Sequence, residues 1–156
     1  MEKQNFVKRA GVIARENVAA GLGGPFGAVI VKDGKIIAEG ANHVTTSNDP
    51  TAHAEIVVIR KACEELRTFQ LDDCEIYTSC EPCPMCLGAI YWARLKKVYY
   101  SSTKEDAKNI GFDDNFIYEE INKSHENRSI PFERIPEDEA TNAFNDWNEK
   151  QDKIKY

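Results

Sequence analysis

Apolar side chains recur with a helical period near the start of the chain, where Phe6, Ala10, Ile13 and Ala14 align along one face of residues 3–20. The glycine-rich stretch Gly21–Gly24 ends that pattern. Two short apolar runs follow, Phe26–Val31 and Ile36–Glu39, linked through Lys32-Asp33-Gly34-Lys35. Asp-Gly at the centre of such a link predicts a tight antiparallel hairpin. Residues 51–66 return to a helical period, with Ala52, Ile56, Ile59, Cys63 and Leu66 on one stripe. The capping and first-turn residue types in Asn48-Asp49-Pro50-Thr51 put the start of this helix close to His53. Cys74–Ser79 alternates as a strand, Cys83–Ala93 reads as a helix after the break at Pro82, and Lys97–Ser101 makes a further strand.

Strand, helix, strand, helix and strand in that order predict an α/β protein. The expected architecture is a three-layer α/β/α sandwich around a central mixed, mostly parallel sheet, with the antiparallel hairpin at one side. From about residue 104 the pattern weakens into a polar stretch. Pro131 and Pro136 bracket a break, and Ala140, Phe144 and Trp147 beyond it mark one more amphipathic helix.

Composition narrows the function. The 156 residues, 42% hydrophobic and 29% charged, fit a single globular domain. An excess of 26 acidic over 20 basic residues leaves a formal charge of -6, the wrong sign for a partner of nucleic acid or an anionic membrane. The longest apolar runs, Phe26–Val31 and Leu87–Ala93, fall short of the ~18 to 20 residues a bilayer span needs. Residues Met1–Ala10 lack the apolar centre of an export signal, so the expected location is the cytoplasm. In that setting five crowded cysteines, an odd number, point to metal binding or catalysis rather than to disulfides.

The chemistry gathers in two segments, His53-Ala54-Glu55 and Pro82-Cys83-Pro84-Met85-Cys86, each where a strand hands over to a helix. Cys83 and Cys86 are three residues apart and share one helical face. Zinc accepts imidazole and thiolate together, so His53, Cys83 and Cys86 form a candidate site for one Zn2+. In mid-helix His53 and Glu55 would point about 200° apart, but side chains of a first turn lean back toward the helix mouth. Three protein ligands leave a fourth position open, where zinc acidifies water to a pKa near ~7. Glu55, in reach but not a ligand, is then the expected proton shuttle. H-x-E followed by P-C-x-x-C is the signature of zinc deaminases. One alternative remains open on these residues: Cys80 with His53, Cys83 and Cys86 would close the site and make a structural zinc module for interactions.

The chain resembles the bacterial guanine deaminases, a branch of the cytidine deaminase-like superfamily of α/β/α folds. The resemblance runs along essentially the whole chain, through Gly23-Gly24-Pro25-Phe26-Gly27-Ala28, Thr51-Ala52-His53-Ala54-Glu55, Glu81-Pro82-Cys83-Pro84-Met85-Cys86, Gly111-Phe112-Asp113-Asp114 and the terminal Tyr156. The first three segments also resemble cytosine and tRNA adenosine deaminases, so another deaminase of the superfamily stays open as a reading. The last two point to guanine. The resemblance implies hydrolysis of free guanine to xanthine and ammonia, with Glu55 and Asp114 as catalytic residues. It implies substrate contacts from Phe26, Asn42, Ala54, Trp92, Asp114 and Tyr156. It further implies that residues 1–130 form the deaminase domain and that 131–156, a segment of the same domain, is exchanged between the subunits of a homodimer. The final tyrosine would then close the partner's site.

Overall fold

The computed structural model describes residues 2–156. Helix α1 (Glu2–Ala19) leads into the hairpin β1 (Gly27–Lys32) and β2 (Lys35–Ala41), then a short α2 (Val44–Ser47) and α3 (Ala54–Leu66). Strand β3 (Glu75–Cys80), α4 (Pro84–Trp92), β4 (Lys97–Ser102), α5 (Lys104–Asn109), α6 (Asn115–Ile121) and α7 (Asp138–Glu149) complete the chain. The hairpin turns at Asp33 and Gly34, both with positive φ (49° and 73°), the backbone that Asp-Gly takes most readily. α3 begins at Ala54 rather than at residue 51, with His53 as its N-cap.

The strand order is β2-β1-β3-β4. β1 runs antiparallel to both neighbours, and only β3 and β4 pair in parallel. The mixed sheet, its helical layers and the hairpin at one side are those the sequence implies, but the balance is not mostly parallel, because β1 also pairs antiparallel with β3. β2, β3 and β4 do share one direction, as their helical connections require. β1 is inserted between β2 and β3 because its own side chains are apolar on both faces. Ala28 and Ile30 join the cluster with Val58, Ala62 and Ile90 from α3 and α4, whereas Val29 and Val31 join Ile13 of α1 and Tyr77. A strand buried on both faces belongs in the middle of a sheet.

Two glycines let the layers meet. A Cβ on Gly27 would lie 2.3 Å from the Ala10 carbonyl of α1, and one on Gly40 would lie 2.8 Å from the Ala54 carbonyl of α3. The reversed β1 also sets the position of the site. Its N-terminal end lies at the same edge of the sheet as the C-terminal ends of β2, β3 and β4. Phe26, Asn42, Cys80 and the first turns of α3 and α4 therefore converge there.

The chain divides into two compact units, residues up to Asn115 and Phe116–Tyr156. In the second unit no side chain is buried. The Glu120 carboxylate accepts hydrogen bonds from the Ser129 N–H (2.6 Å) and hydroxyl (3.1 Å), and it pairs with Lys123. Arg128 donates to the Glu120 and Ile121 carbonyls at the end of α6 and lies 4.7 Å from the ring centre of Phe132. Among the described residues no helix is long and apolar enough to cross a membrane.

Candidate metal centre and active site

His53 and Cys83 are the N-caps of α3 and α4, and neither spends its side chain on a capping hydrogen bond. Both are extended at that position (φ -66°, ψ 155° and φ -71°, ψ 171°), which frees the imidazole and the thiol to face each other across the sheet edge. Pro84 at the first position of α4 is preset for a helix start and brings Cys86 round to the same side as Cys83. His53 Nδ1 lies 3.5 Å from the sulfurs of both Cys83 and Cys86.

All three donor atoms fall within 4.8 Å of one another. Tetrahedral zinc with bonds of ~2.3 Å to sulfur and ~2.0 Å to nitrogen sets S and N roughly 3.5 Å apart. The donor set therefore fits zinc in both chemistry and spacing, with Nδ1 as the histidine's ligand atom.

Charge is distributed to suit. Cys83 is drawn down to about 4, chiefly by the hydrogen bond from Cys86 and further by His53. The Cys83 sulfur in turn pushes the Cys86 thiol upward, and burial adds to that. The His53 imidazole is raised by its hydrogen bond with Cys83. Glu55 is 6% exposed, with Oε2 3.0 Å from the Cys86 sulfur. Burial raises its pKa above the ordinary carboxylate value, so the carboxyl takes up a proton more readily than an exposed one.

Cys80 stands apart from the donor cluster. Its thiol donates to the Thr103 carbonyl (3.6 Å), and burial pushes it up to about 11. The closed arrangement thus lacks its fourth ligand, the third sulfur.

The remaining sequence-predicted residues divide. Ala54 is buried in the first turn of α3, between His53 and Glu55. Asn42 is buried, and its Oδ1 accepts the Val44 N–H at 3.2 Å, which fixes which end of the amide is oxygen. Phe26 is half-buried against the α3 side of the core. Asp114 is half-buried, and its pKa is raised first by desolvation and then by the negative charge of Cys83. Trp92 stands at the other end of α4 from Cys83, roughly 13 Å along the axis at ~1.5 Å per residue. It is 62% exposed, with the Arg94 guanidinium 5.8 Å from its ring centre. Tyr156 belongs to the second unit and is 69% exposed.

Two residues near the site carry no sequence assignment. Phe112 meets Phe26 edge to face, with centroids 5.0 Å apart. Its place beside Asp114 was the available signal. Asn17 continues the buried stripe Ala10, Ile13, Ala14 of α1, and an amide on such a stripe signals a buried polar contact.

Comparison with known proteins gives three kinds of match. Residues 1–102 match the family described as "Cytidine and deoxycytidylate deaminase zinc-binding region". Guanine deaminase of Bacillus subtilis is 60% identical over 156 residues, covering 100% of both chains. The X-ray structure of a Bacillus subtilis guanine deaminase superposes with a TM-score of 0.95 at 61% identity, covering 98% of each chain. A tRNA-specific adenosine deaminase of Aquifex aeolicus is 36% identical over 152 residues, 96% of each chain. A guanine deaminase structure from Nitrosomonas europaea has a TM-score of 0.67 at 34% identity, covering 70% of this chain and 63% of that one.

Proposed function

The chain belongs to the cytidine and deoxycytidylate deaminase family of zinc-dependent hydrolytic enzymes, and on that premise we propose that its substrate is free guanine. The observation that carries the choice of substrate is 60% identity to a guanine deaminase over the full length of both chains, well beyond the two metal segments. The reaction adds water to the carbon bearing guanine's amino group and releases ammonia, leaving xanthine. His53, Cys83 and Cys86 would hold one zinc ion, which when bound would supply Lewis acidity that brings water's pKa down to ~7.

Glu55 does the proton work. Its carboxylate takes one proton from water and delivers it to the adjacent ring nitrogen; it then takes the second proton from the hydroxyl added to the carbon and passes it to the amino group, which leaves as ammonia while the new carbonyl forms. The buried, raised carboxyl described above suits a group that must bind and release a proton in each cycle. Asn42 and Asp114 read the base by hydrogen bonds, Asp114 accepting from guanine's N–H groups and assisting proton transfer. Phe26 stacks on the ring and Ala54 lines the pocket floor.

A second copy of the chain completes the site. Exchange of residues 131–156 between subunits brings Tyr156 over the partner's pocket. The second unit's exposed Ile130, Ile135, Phe144 and Trp147 support this reading, because a stretch of ~40 residues without buried side chains seldom holds its own fold. The protein works in the cytoplasm.

Incubating zinc-loaded protein with guanine, cytosine and an adenosine-containing tRNA, and measuring ammonia, tests the proposal. Release from guanine alone is expected. Release from tRNA, with strong salt sensitivity, would move the assignment to the adenosine branch.

A further inference from the structure

We infer that Asn17 is a positioning residue for the purine pocket: its side-chain amide ties the turn leading to Phe26 to the strand end that carries Asn42. The inference rests on the reading of Phe26 and Asn42 as guanine contacts.

Asn17 lies in the last turns of α1 and is 4% exposed. A buried amide is costly unless it is paired. Its Nδ2 donates to the Gly24 carbonyl at 2.9 Å and to the Asn42 carbonyl at 2.9 Å, which uses both of its protons. The main chain of Asn17 joins in. Its carbonyl accepts the Leu22 N–H (3.1 Å) while the Gly21 N–H bonds to Val18 (3.0 Å). With Gly21 at φ +67°, this is the glycine-terminated helix ending that turns the chain back across its own last turn.

The turn so formed presses directly on β2's exit. A Cβ on Gly23 would fall 2.1 Å from the Asn42 carbonyl, so no side chain fits there. The Asn42 N–H bonds to the Phe26 carbonyl at 3.2 Å, one step beyond the Gly27–Ala41 register pair of the hairpin. Phe26 and Asn42 are thus adjacent at the open end of the β1–β2 ladder, where no further strand pairing holds them. Asn17 supplies the missing restraint from outside the ladder, one proton to each flank. It touches no reacting atom and acts through the spacing of a ring and an amide that grip the same base.

The test is steady-state kinetics with guanine on zinc-loaded protein. Asn17→Leu keeps the volume and removes both donors. KM is expected to rise about tenfold, the worth of one or two lost hydrogen bonds, with kcat within about twofold and zinc content unchanged. In an Asn42→Ala background the same change should raise KM only about threefold, because one of the two groups it orients is already gone. A merely structural role would multiply through both backgrounds alike. An unmoved KM, or an equal rise in both backgrounds, overturns the inference. If Asn17→Leu does not fold, Asn17→Ser, which keeps one shorter donor, should raise KM about threefold, and an unmoved KM there overturns it equally. Wild-type protein that leaves guanine intact would overturn the substrate assignment itself, whereas turnover with an unmoved KM overturns only the part given to Asn17.

Discussion

Up to Asn115 the chain buries branched apolar side chains on both faces of a sheet. From Phe116 onward it leaves Ile130, Phe144 and Tyr156 in the open and holds its shape with a carboxylate and a guanidinium. The first unit keeps its metal donors in place because two helices are packed on a close-fitting core, and a first turn cannot shift without disturbing Val58 or Ile90. The second unit spends hydrogen bonds where the first spends apolar area. Exposed hydrogen bonds of that kind contribute little net stability, since water competes for every partner. A site on the first unit is therefore held by close packing, whereas the second unit keeps its apolar side chains exposed.

The sharpest test of the contrast strikes the rigid side. Cys83→Ala should lose both zinc and turnover, and Glu55→Gln should keep zinc while kcat falls by about 10³-fold, within the usual worth of a proton-transfer group. Metal analysis and ammonia release read both, and equal activity in Glu55→Gln and wild type would falsify the shuttle.

Next comes the same kind of truncation on each side. Ile30→Ala should cost about 3 kcal/mol and lower the melting temperature at every protein concentration, because that side chain is fully buried. Phe144→Ala, at a residue 80% exposed, tests the exchange of residues 131–156 proposed above, under which its effect runs through the partner subunit. It should make melting more dependent on concentration and shift the sedimentation profile toward monomer. A concentration-independent loss as large as that of Ile30→Ala would end the distinction between the units.

Deleting Tyr156 should raise KM for guanine by about tenfold, the effect of one lost aromatic contact, and leave melting unchanged. Unchanged kinetics would remove the tyrosine from the site.

The smallest effect concerns the clamp between α1 and β2, where Arg9 donates twice to Glu39 at 2.7 Å. Those hydrogen bonds hold the Glu39 carboxyl below its ordinary 4.5. Because the folded value is the lower one, the pair stabilises fully above the unfolded value and loses its contribution as the pH falls through the folded one. Arg9→Met should cost less than about 1 kcal/mol at neutral pH for this half-exposed pair. Its gap in melting temperature from the wild type should narrow as the pH is taken below 4.5.

The elements with a strong local signature were readable along the chain. The hairpin turn followed from Asp33-Gly34, α4 from the apolar run after the break at Pro82, and the donor set from residue types that together suit one ion; α3 followed from its apolar period, although Ala54, Val58 and Ala62 form its fully buried face and Ile56, Ile59 and Cys63 only flank it. α5 leaves little mark in the sequence, although Thr103 and Asp106 form a capping box at its start, because six residues with almost no apolar stripe carry no period. The place of Cys80 also escaped the sequence. Its spacing from Cys83 repeats that of Cys83 from Cys86, yet it ends a strand, and its thiol is taken by the Thr103 carbonyl.

By itself, then, the order of residues determined which side chains have metal-binding and proton-transfer chemistry and on which local elements they sit, because helix caps, turns and stripes are interactions between near neighbours. Only the tertiary structure decided that β1 lies reversed in the middle of the sheet. Only it decided that Phe26 and Asn42 end beside each other under the hold of Asn17, and that Cys80 is turned from the donors. Those outcomes depend on which distant surfaces bury each other, and pairings between segments tens of residues apart leave no period in the sequence.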